Sequence, residues 1–322
     1  MSLPAEVIES PTGQVTSESF SPIPDRTSES RIVPQHDGKP CGCGGARATA
    51  NGNGSAHANG NGSATTMYSY VYAVGHIGVR FPSIGLEKEF AQATGRDQSA
   101  GMTDHQAFHS LLSQRKNRYL TRQVCWTLSI EGLETYLLQP RDPGDYELLL
   151  EALRREPSPL DVDVVIGVRG PIAAPEMCNG LMLPIVAFDQ IYSFDRDALI
   201  KTIPRPDKVT EKDFSATAHE LFERIMLLAD NAGATDENRA LNYLAVRYPA
   251  IYAMAAEAHG KNASLTGVEV QPSTFNNTRS IMDTIFSVTN RNTDVTEKFF
   301  VRVDVTEEFP FLVTKLSPYL NR

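Results

Sequence analysis

The fold is decided by a hairpin pattern in the first half of the chain, VCWTLSIEGLETYLLQP at positions 124–140. Residues 123–130 and 134–139 form two stretches rich in apolar, β-branched and aromatic side chains, and Glu131-Gly132 lies between them. Two such runs joined by a short turn that contains glycine are typical of antiparallel strands. The sequence therefore predicts a β-hairpin at this position.

Other segments show the periodicity of strands or of helices. Strands are predicted at 70–77, 162–168, 181–188, 267–271, 281–289 and 298–306. Helices are predicted at 86–94, 214–228 and 251–258, and three more begin at Thr103, Asp142 and Thr235. The turn-rich residues 290–294 predict that the last two strands pair antiparallel. Because helices and strands do not alternate regularly, we expect an α+β fold, with a mixed or antiparallel sheet and several helices.

The composition of the chain changes sharply near residue 67. Residues 1–66 hold 9 of the 22 glycines and 6 of the 20 prolines, but only eight Leu, Ile, Val or Phe residues. A segment so poor in large apolar side chains cannot bury enough surface to offset the entropy lost on ordering. We therefore expect a disordered arm and linker at 1–66 and a folded domain at 67–322. A charged connector that contains proline, at 204–213, predicts a split of this domain into two subdomains.

The charge balance disfavours two classes of partner. The formal net charge is −9, and the chain contains no cluster of lysine and arginine of the kind that binds phosphates. We therefore expect neither nucleic acid nor an anionic membrane as a partner. Apolar runs are too short to span a bilayer, and Glu6 and Glu9 stand where a secretory signal would be basic or apolar. A cytoplasmic location is expected.

Two of the four cysteines, Cys125 and Cys178, lie within apolar runs. A disulfide framework is unusual in a cytosolic protein of this length. Free cysteine is also among the residue types most often buried. We therefore expect both side chains to be small hydrophobic residues of the core.

The other two cysteines form the most unusual local motif, Cys41-Gly42-Cys43, which His36 precedes. Two thiolates in a flexible glycine-rich segment can hold one soft metal ion, with His36 as a third ligand. The motif is also compatible with a redox thiol pair and with modification of the cysteines by another enzyme, and an inert linker is the default interpretation. Apart from this soft metal, the sequence predicts no cofactor.

Histidines give only weak signals of a metal site. His219-Glu220 begins like a zinc-peptidase motif, but position 223 is a glutamate where the second histidine ligand is required. His105 and His109 are four residues apart and share one helix face, but two ligands make a weak site. We interpret both pairs as structural or solvent-exposed. Phosphate-binding loops and nucleophile elbows are absent from the sequence.

Acidic pairs occur at Glu307-Glu308 and at Asp161 and Asp163, next to predicted turns or strands. Nothing in their spacing places two carboxylates across a pocket. We therefore expect all four to be solvated charges, without a catalytic role.

Four blocks of sequence, in the same order, resemble the C-terminal domain of the PatA/PatG family of cyanobactin maturation proteases. The blocks are VYAVGHIG at 71–78, the hairpin sequence at 124–140, ALNYLA at 240–245 and FVRVDVTEEFP at 300–310. The resemblance spans about residues 70–315, and a similar Cys/Gly-rich linker often precedes the domain in this family. Where the family often carries a cysteine pair, residues 272–283 contain none. The residues after Gly78 also depart from the family pattern.

The resemblance implies an accessory module in the biosynthesis of ribosomally made, post-translationally modified peptides. In that family a subtilisin-like protease carries the proteolytic chemistry, and this chain lacks its motifs. We therefore expect a free-standing domain without protease activity that binds a precursor peptide or a modifying enzyme, and we assign no catalytic residue. Two alternatives remain. In one, the chain is itself a substrate or carrier modified at Cys41 and Cys43. In the other, it is an enzyme whose active site is assembled from distant segments and cannot be recognised in the sequence.

Overall fold

A computed structural model describes residues 69–94, 102–203, 205, 209–275 and 278–320. The predictions for the arm at 1–66, including His36, Cys41 and Cys43, lie outside these residues.

The first half of the described chain forms a closed five-stranded barrel. Its strands are β1 (Ser69–Arg80), β2 (Cys125–Ile130), β3 (Leu133–Pro140), β4 (Asp161–Ile172) and β5 (Pro184–Asp195). Neighbours follow the order β1-β2-β3-β5-β4, and β4 closes the barrel on β1. All pairs are antiparallel except β3 with β5. This order, with a helix between the third and fourth strands, is that of the OB-fold.

The predicted hairpin is the β2–β3 pair. Glu131 and Gly132 take φ values of 50° and 81°, so both turn residues have the left-handed backbone that a type I′ turn requires. Trp126 and Leu128 of β2 and Tyr136 of β3 belong to the barrel core.

Four helices lie between the barrel strands. The β1–β2 connection carries α1 (Ile84–Thr94), α2 (Asp104–Leu112) and α3 (Arg118–Thr121), and α4 (Tyr146–Ala152) follows β3. Short 3-10 turns at Arg115–Asn117 and Pro143–Asp145 precede α3 and α4. Thr103 is the predicted N-cap of α2 and forms a complete capping box with Gln106.

The second half packs helices against an open antiparallel sheet. The helices are α5 (Arg196–Thr202), α6 (Glu211–Leu228), α7 (Asp236–Arg247) and α8 (Ala250–Gly260). The strands are β6 (Ala263–Pro272), β7 (Ile281–Asn290), β8 (Thr296–Asp304) and β9 (Phe311–Pro318), in sequential order. The antiparallel pairing of β7 with β8 confirms the prediction. The sequence interpretation did not predict α3, α5 or β9, and it began β5 three residues too early.

The segment between α6 and α7 completes the barrel. The first half of β1 pairs with β4, and β1 pairs with β2 only from His76 onward. The other edge of the first half of β1 therefore has no partner strand. The backbone of the 231–233 segment occupies this edge. Tyr72 donates its N–H to the carbonyl of Gly233 at 3.1 Å, and Val74 donates to that of Asn231 at 2.8 Å. From α7, Asn242 Nδ2 donates to the Tyr72 carbonyl at 2.9 Å.

The described residues confirm the predicted α+β class. Separate clusters of buried apolar residues fill the barrel and the space between the second sheet and its helices. The subdomain split near 204–213 stays a prediction. Within the described residues, no helix is long and apolar enough to cross a membrane.

Candidate functional site

A groove of about 960 Å³ runs across the barrel beside β1 and β2. It is bounded by α1 and α2 on one side and by the connection between β4 and β5 on the other. We call it the β2 groove. It is lined by Gly78, Val79, Arg80, Phe81, Glu87, Phe90, Ala91, Thr94, Asp104, Ala107, Phe108, Thr127, Ser129, Glu134, Cys178, Asn179, Gly180 and Leu181.

Strand register explains which side chains of β2 reach this groove. Thr127 lies opposite Gly78, and Ser129 lies opposite His76. Because successive side chains of a strand point to opposite faces, Thr127 and Ser129 face outward while Trp126 and Leu128 fill the barrel. The apolar alternation of β2 thus places small hydroxyl side chains in the groove.

Three phenylalanines form an aromatic cluster at the helical side of the groove. The ring centroid of Phe81, after β1, lies 5.2 Å from both Phe90 of α1 and Phe108 of α2. Phe90 and Phe108 are 4.8 Å apart. Centroid separations of this size are typical of favourable aromatic pairs. The cluster therefore anchors both helices to the end of β1 and gives the groove an apolar wall.

Charged side chains in the groove are mostly acidic. Arg80 forms an ion pair with Glu134 across β1 and β3. Glu87 and Asp104, in the first turns of α1 and α2, form no ion pair within the described part of the chain. The groove thus combines an apolar wall with two acidic groups that no described cation neutralises.

The opposite wall is held by a disulfide that the sequence interpretation did not expect. Cys125, the first residue of β2, is bonded to Cys178 in the β4–β5 connection. Both residues are buried, as predicted. The prediction that they act merely as small hydrophobic residues is wrong, because the barrel brings two cysteines 53 positions apart into bonding distance. Strand pairing between distant segments, which spacing alone does not reveal, created this contact.

The histidines singled out from sequence do not form a shared site. His105 Nδ1 lies 3.4 Å from the Arg154 carbonyl, and His219 Nε2 lies 2.9 Å from Asp197 Oδ1. Burial, with the nearby charge of Arg155, lowers the pKa of His109. Within the residues that the structure describes, no three histidine, cysteine or acidic side chains come together as a metal site. The proposed ligands His36, Cys41 and Cys43 lie outside them.

The prediction that the acidic pairs are solvated is wrong for Asp161 and Asp163. Asp161 is buried, and it pairs with Arg154 at 2.6 Å. Asp163 is 5% exposed and accepts hydrogen bonds from the Ile77 N–H at 2.7 Å and from Ser193 Oγ at 2.5 Å. Burial raises the pKa of Asp163, although these two donors oppose the shift.

The prediction is also wrong for Glu308, whose side chain is only 13% exposed. Its Oε2 lies 3.1 Å from Arg141, which also pairs with Asp189 of β5. Burial and the hydrogen bond with Asp189 raise the pKa of Glu308 to about 8, while Arg141 acts in the opposite direction. Its neighbour Glu307 accepts a hydrogen bond from Tyr70 at 3.3 Å. These acids join the barrel to the β8–β9 loop.

The β2 groove is lined by a characteristic set of side chains. Its described lining contains no histidine and no free thiol, the groups that most often act as base or nucleophile. It offers aromatic rings, hydroxyls and carboxylates. Sequence reasoning did not find the groove, since its lining comes from β1, β2, β3, two helices and a distant loop. Phe90 and Phe108 carried no signal beyond helical periodicity, and Phe81, which follows β1, lies outside any helix.

Comparison with known proteins identifies the second half of the chain. Residues 208–319 match the family model described as PatG C-terminal. The chain carries a PatG C-terminal-like domain. A solved structure titled "PatG Domain of Unknown Function" superposes with a TM-score of 0.65 and 21% sequence identity. The match covers 78% of this chain and 98% of that one. No curated protein matches the chain in sequence.

The PatG C-terminal-like domain therefore shares its fold with the solved PatG domain over most of the described residues. The family model begins at residue 208, after the barrel. The match to the solved structure covers 78% of the chain, so it extends beyond residues 208–319 into the barrel. The barrel is thus part of the shared fold.

Proposed function

We propose that this PatG C-terminal-like domain is an accessory module of a cyanobactin-type peptide pathway that binds a peptide segment in the β2 groove. The match of residues 208–319 to the PatG C-terminal family model supports the pathway. In this proposal the protein acts in the cytoplasm, and a partner enzyme carries out proteolysis.

The observation that carries the proposal is the position of the groove. OB-fold proteins bind extended polymers on the face of strands 2 and 3, between the connections β1–β2 and β4–β5. The β2 groove is lined by these same elements. Because one fold can carry unrelated ligands, the side chains of the groove determine which polymer binds there.

The side chains favour a peptide over a nucleic acid. The chain carries a net charge of −9, and Glu87 and Asp104 repel phosphates from the groove. The phenylalanine cluster suits apolar side chains, and the two acids suit a basic residue of the same segment. A volume near 960 Å³ lies at the upper end of ligand pockets and holds several side chains.

Titration of the full chain with the precursor peptide of its own pathway tests the proposal. We expect Phe108→Ala and the double variant Glu87→Gln/Asp104→Asn each to weaken binding. Phe275→Ala is the matched control, because this exposed ring lies next to the second sheet, outside the groove. A melting curve for each variant verifies folding. Absence of binding at high micromolar peptide, or equal affinity in all variants, would overturn the proposal.

A further inference from the structure

The connection between β4 and β5, residues 173–183, is bonded mainly to itself. Ala173 donates its N–H to the Leu183 carbonyl at 2.8 Å, and Gly180 donates to the Pro175 carbonyl at 2.7 Å. The other backbone hydrogen bonds described for this loop also close within it. The Cys125–Cys178 disulfide is therefore its covalent attachment to β2.

The same loop forms a wall of the β2 groove. Cys178 and the three residues after it line the groove. Cys178 and Cys125 are 2% and 9% exposed, and only Cys178 borders the groove. We therefore expect a reductant to approach the disulfide from the groove, at Cys178. Thiol–disulfide exchange requires a thiolate to contact one of the two sulfurs.

We propose that the Cys125–Cys178 disulfide is a redox switch of the β2 groove. With the bond intact the loop is held against β2 and the groove is complete. On reduction the loop detaches, the groove loses one wall, and ligand affinity falls. This inference rests on the proposed function of the groove.

The chemical step is a two-electron exchange with a dithiol. A thiolate of the dithiol attacks one sulfur of the disulfide and forms a mixed disulfide, and the other sulfur leaves as a thiolate that takes up a proton. The second thiol of the dithiol then attacks the mixed disulfide. The protein gains two thiols, and the dithiol becomes a disulfide.

One expectation and one observation favour a switch over a permanent structural disulfide. Disulfides of cytosolic proteins are usually transient and redox-sensing, so the expected cytoplasmic location favours this role. The bond also joins Cys178, which lines the groove, to Cys125 of β2. Neither residue belongs to the main apolar cluster of the barrel or to that of the second sheet. Cys125 and Cys178 belong to a small separate cluster with Leu137 and Ala173. Reduction therefore loosens the groove without removing a side chain from either main core.

The experiment uses the full chain with Cys41→Ser/Cys43→Ser, which leaves Cys125 and Cys178 as the remaining cysteines. Thiol alkylation and mass spectrometry then report this disulfide alone. Hydrogen exchange is compared between the oxidised protein and the protein reduced by dithiothreitol. We expect reduction to accelerate exchange of the amides at 173–183 at least about tenfold more than that of the amides of β7, whose exchange follows global stability. Equal exchange in both states, or a uniform increase over the whole domain, would overturn the proposal.

The second readout is affinity for the precursor peptide. We expect reduction to weaken binding by about tenfold or more. Cys125→Ala/Cys178→Ala in the same background is the control, since it should bind weakly with and without dithiothreitol. Unchanged affinity on reduction overturns the switch. If the oxidised protein binds no peptide at all, the proposed function fails, and hydrogen exchange still tests the release of the loop.

Discussion

The carboxylate of Asp163 accepts a hydrogen bond from the backbone N–H of Ile77 at 2.7 Å, where β1 leaves β4 and turns to β2. Its other oxygen accepts from Ser193 at 2.5 Å. We expect Asp163→Ala to leave the buried Ile77 N–H and the half-buried Ser193 hydroxyl unpaired, and to lower the free energy of unfolding by about 2–4 kcal/mol. Chemical denaturation measures this. Ser193→Ala, which removes one donor, should cost less, and equal losses for the two variants would contradict this account.

Gly233 closes the barrel edge in a backbone conformation that other residues adopt at a cost. Its φ is +58°, and a Cβ atom would lie 2.0 Å from the Tyr72 carbonyl oxygen. Gly233→Ala should therefore cost about 3 kcal/mol or more of stability. The matched control is Gly260→Ala, where a Cβ meets no atom within 4 Å and φ is not positive. Thermal unfolding of the two variants tests this prediction. Equal melting temperatures would contradict it, since they would mean that residue 233 does not lie so close to Tyr72 in solution.

The disulfide should also stabilise the whole fold. It closes a loop of 53 positions, for which the chain-entropy model gives about 4 kcal/mol. We expect Cys125→Ala/Cys178→Ala to unfold at correspondingly lower denaturant, and added reductant to destabilise the native protein but not the variant. A destabilisation by reductant that persists in the variant would assign the effect to other groups.

The raised pKa of Glu308 makes stability depend on pH. In the folded state this carboxyl titrates near pH 8, whereas in the unfolded chain it titrates near its ordinary value of 4.5. Its contribution is fully present below pH 4.5 and is lost as pH rises through 8, because the unfolded state ionises first. Glu308→Gln, which stays neutral, should gain stability relative to the native protein over this interval. The full rise in pKa corresponds to about 5 kcal/mol, and solvent screening of this half-buried carboxyl reduces the expected gain to roughly 3 kcal/mol at pH 9.

Unfolding measured at pH 5, 7 and 9 tests the Glu308 prediction. The difference between Glu308→Gln and the native protein should grow with pH and then level off. Glu307→Gln, at the neighbouring position, should show no comparable trend. A constant difference across this range would mean that Glu308 titrates normally.

Local signals in the sequence were sufficient for most elements. Glu131-Gly132 predicted the hairpin turn, and Thr103 and Thr235 predicted helix N-caps, because each depends on residues within a few positions. By contrast, β9 went unpredicted. On the exposed face of β9, Phe311 and Val313 are apolar, like the residues on its inner face. The alternation of apolar and polar residues that predicts a strand is therefore weak.

The candidate site could not be predicted because its properties arise from distant contacts. Asp163 looks like a surface acid until Ile77 and Ser193 are placed beside it. In the sequence, Cys125 and Cys178 are 53 positions apart and resemble independent core residues; only the closed barrel brings them into contact. The irregular order of helices and strands predicted the α+β class correctly, but the β2 groove and the burial of Glu308 required the tertiary structure.

Tyr72 of β1 is synthesised long before Gly233 and Asn242, its hydrogen-bond partners. The partner on α7 emerges from the ribosome 170 residues after Tyr72, a delay on the order of 10–30 s at ordinary translation rates. During this interval the first half of β1 presents an uncovered edge, which can pair with another nascent chain. A fragment that ends before residue 231 would keep that edge permanently. The barrel strands are thus made before the segment that covers the edge of β1, and this edge can aggregate until that segment has been made.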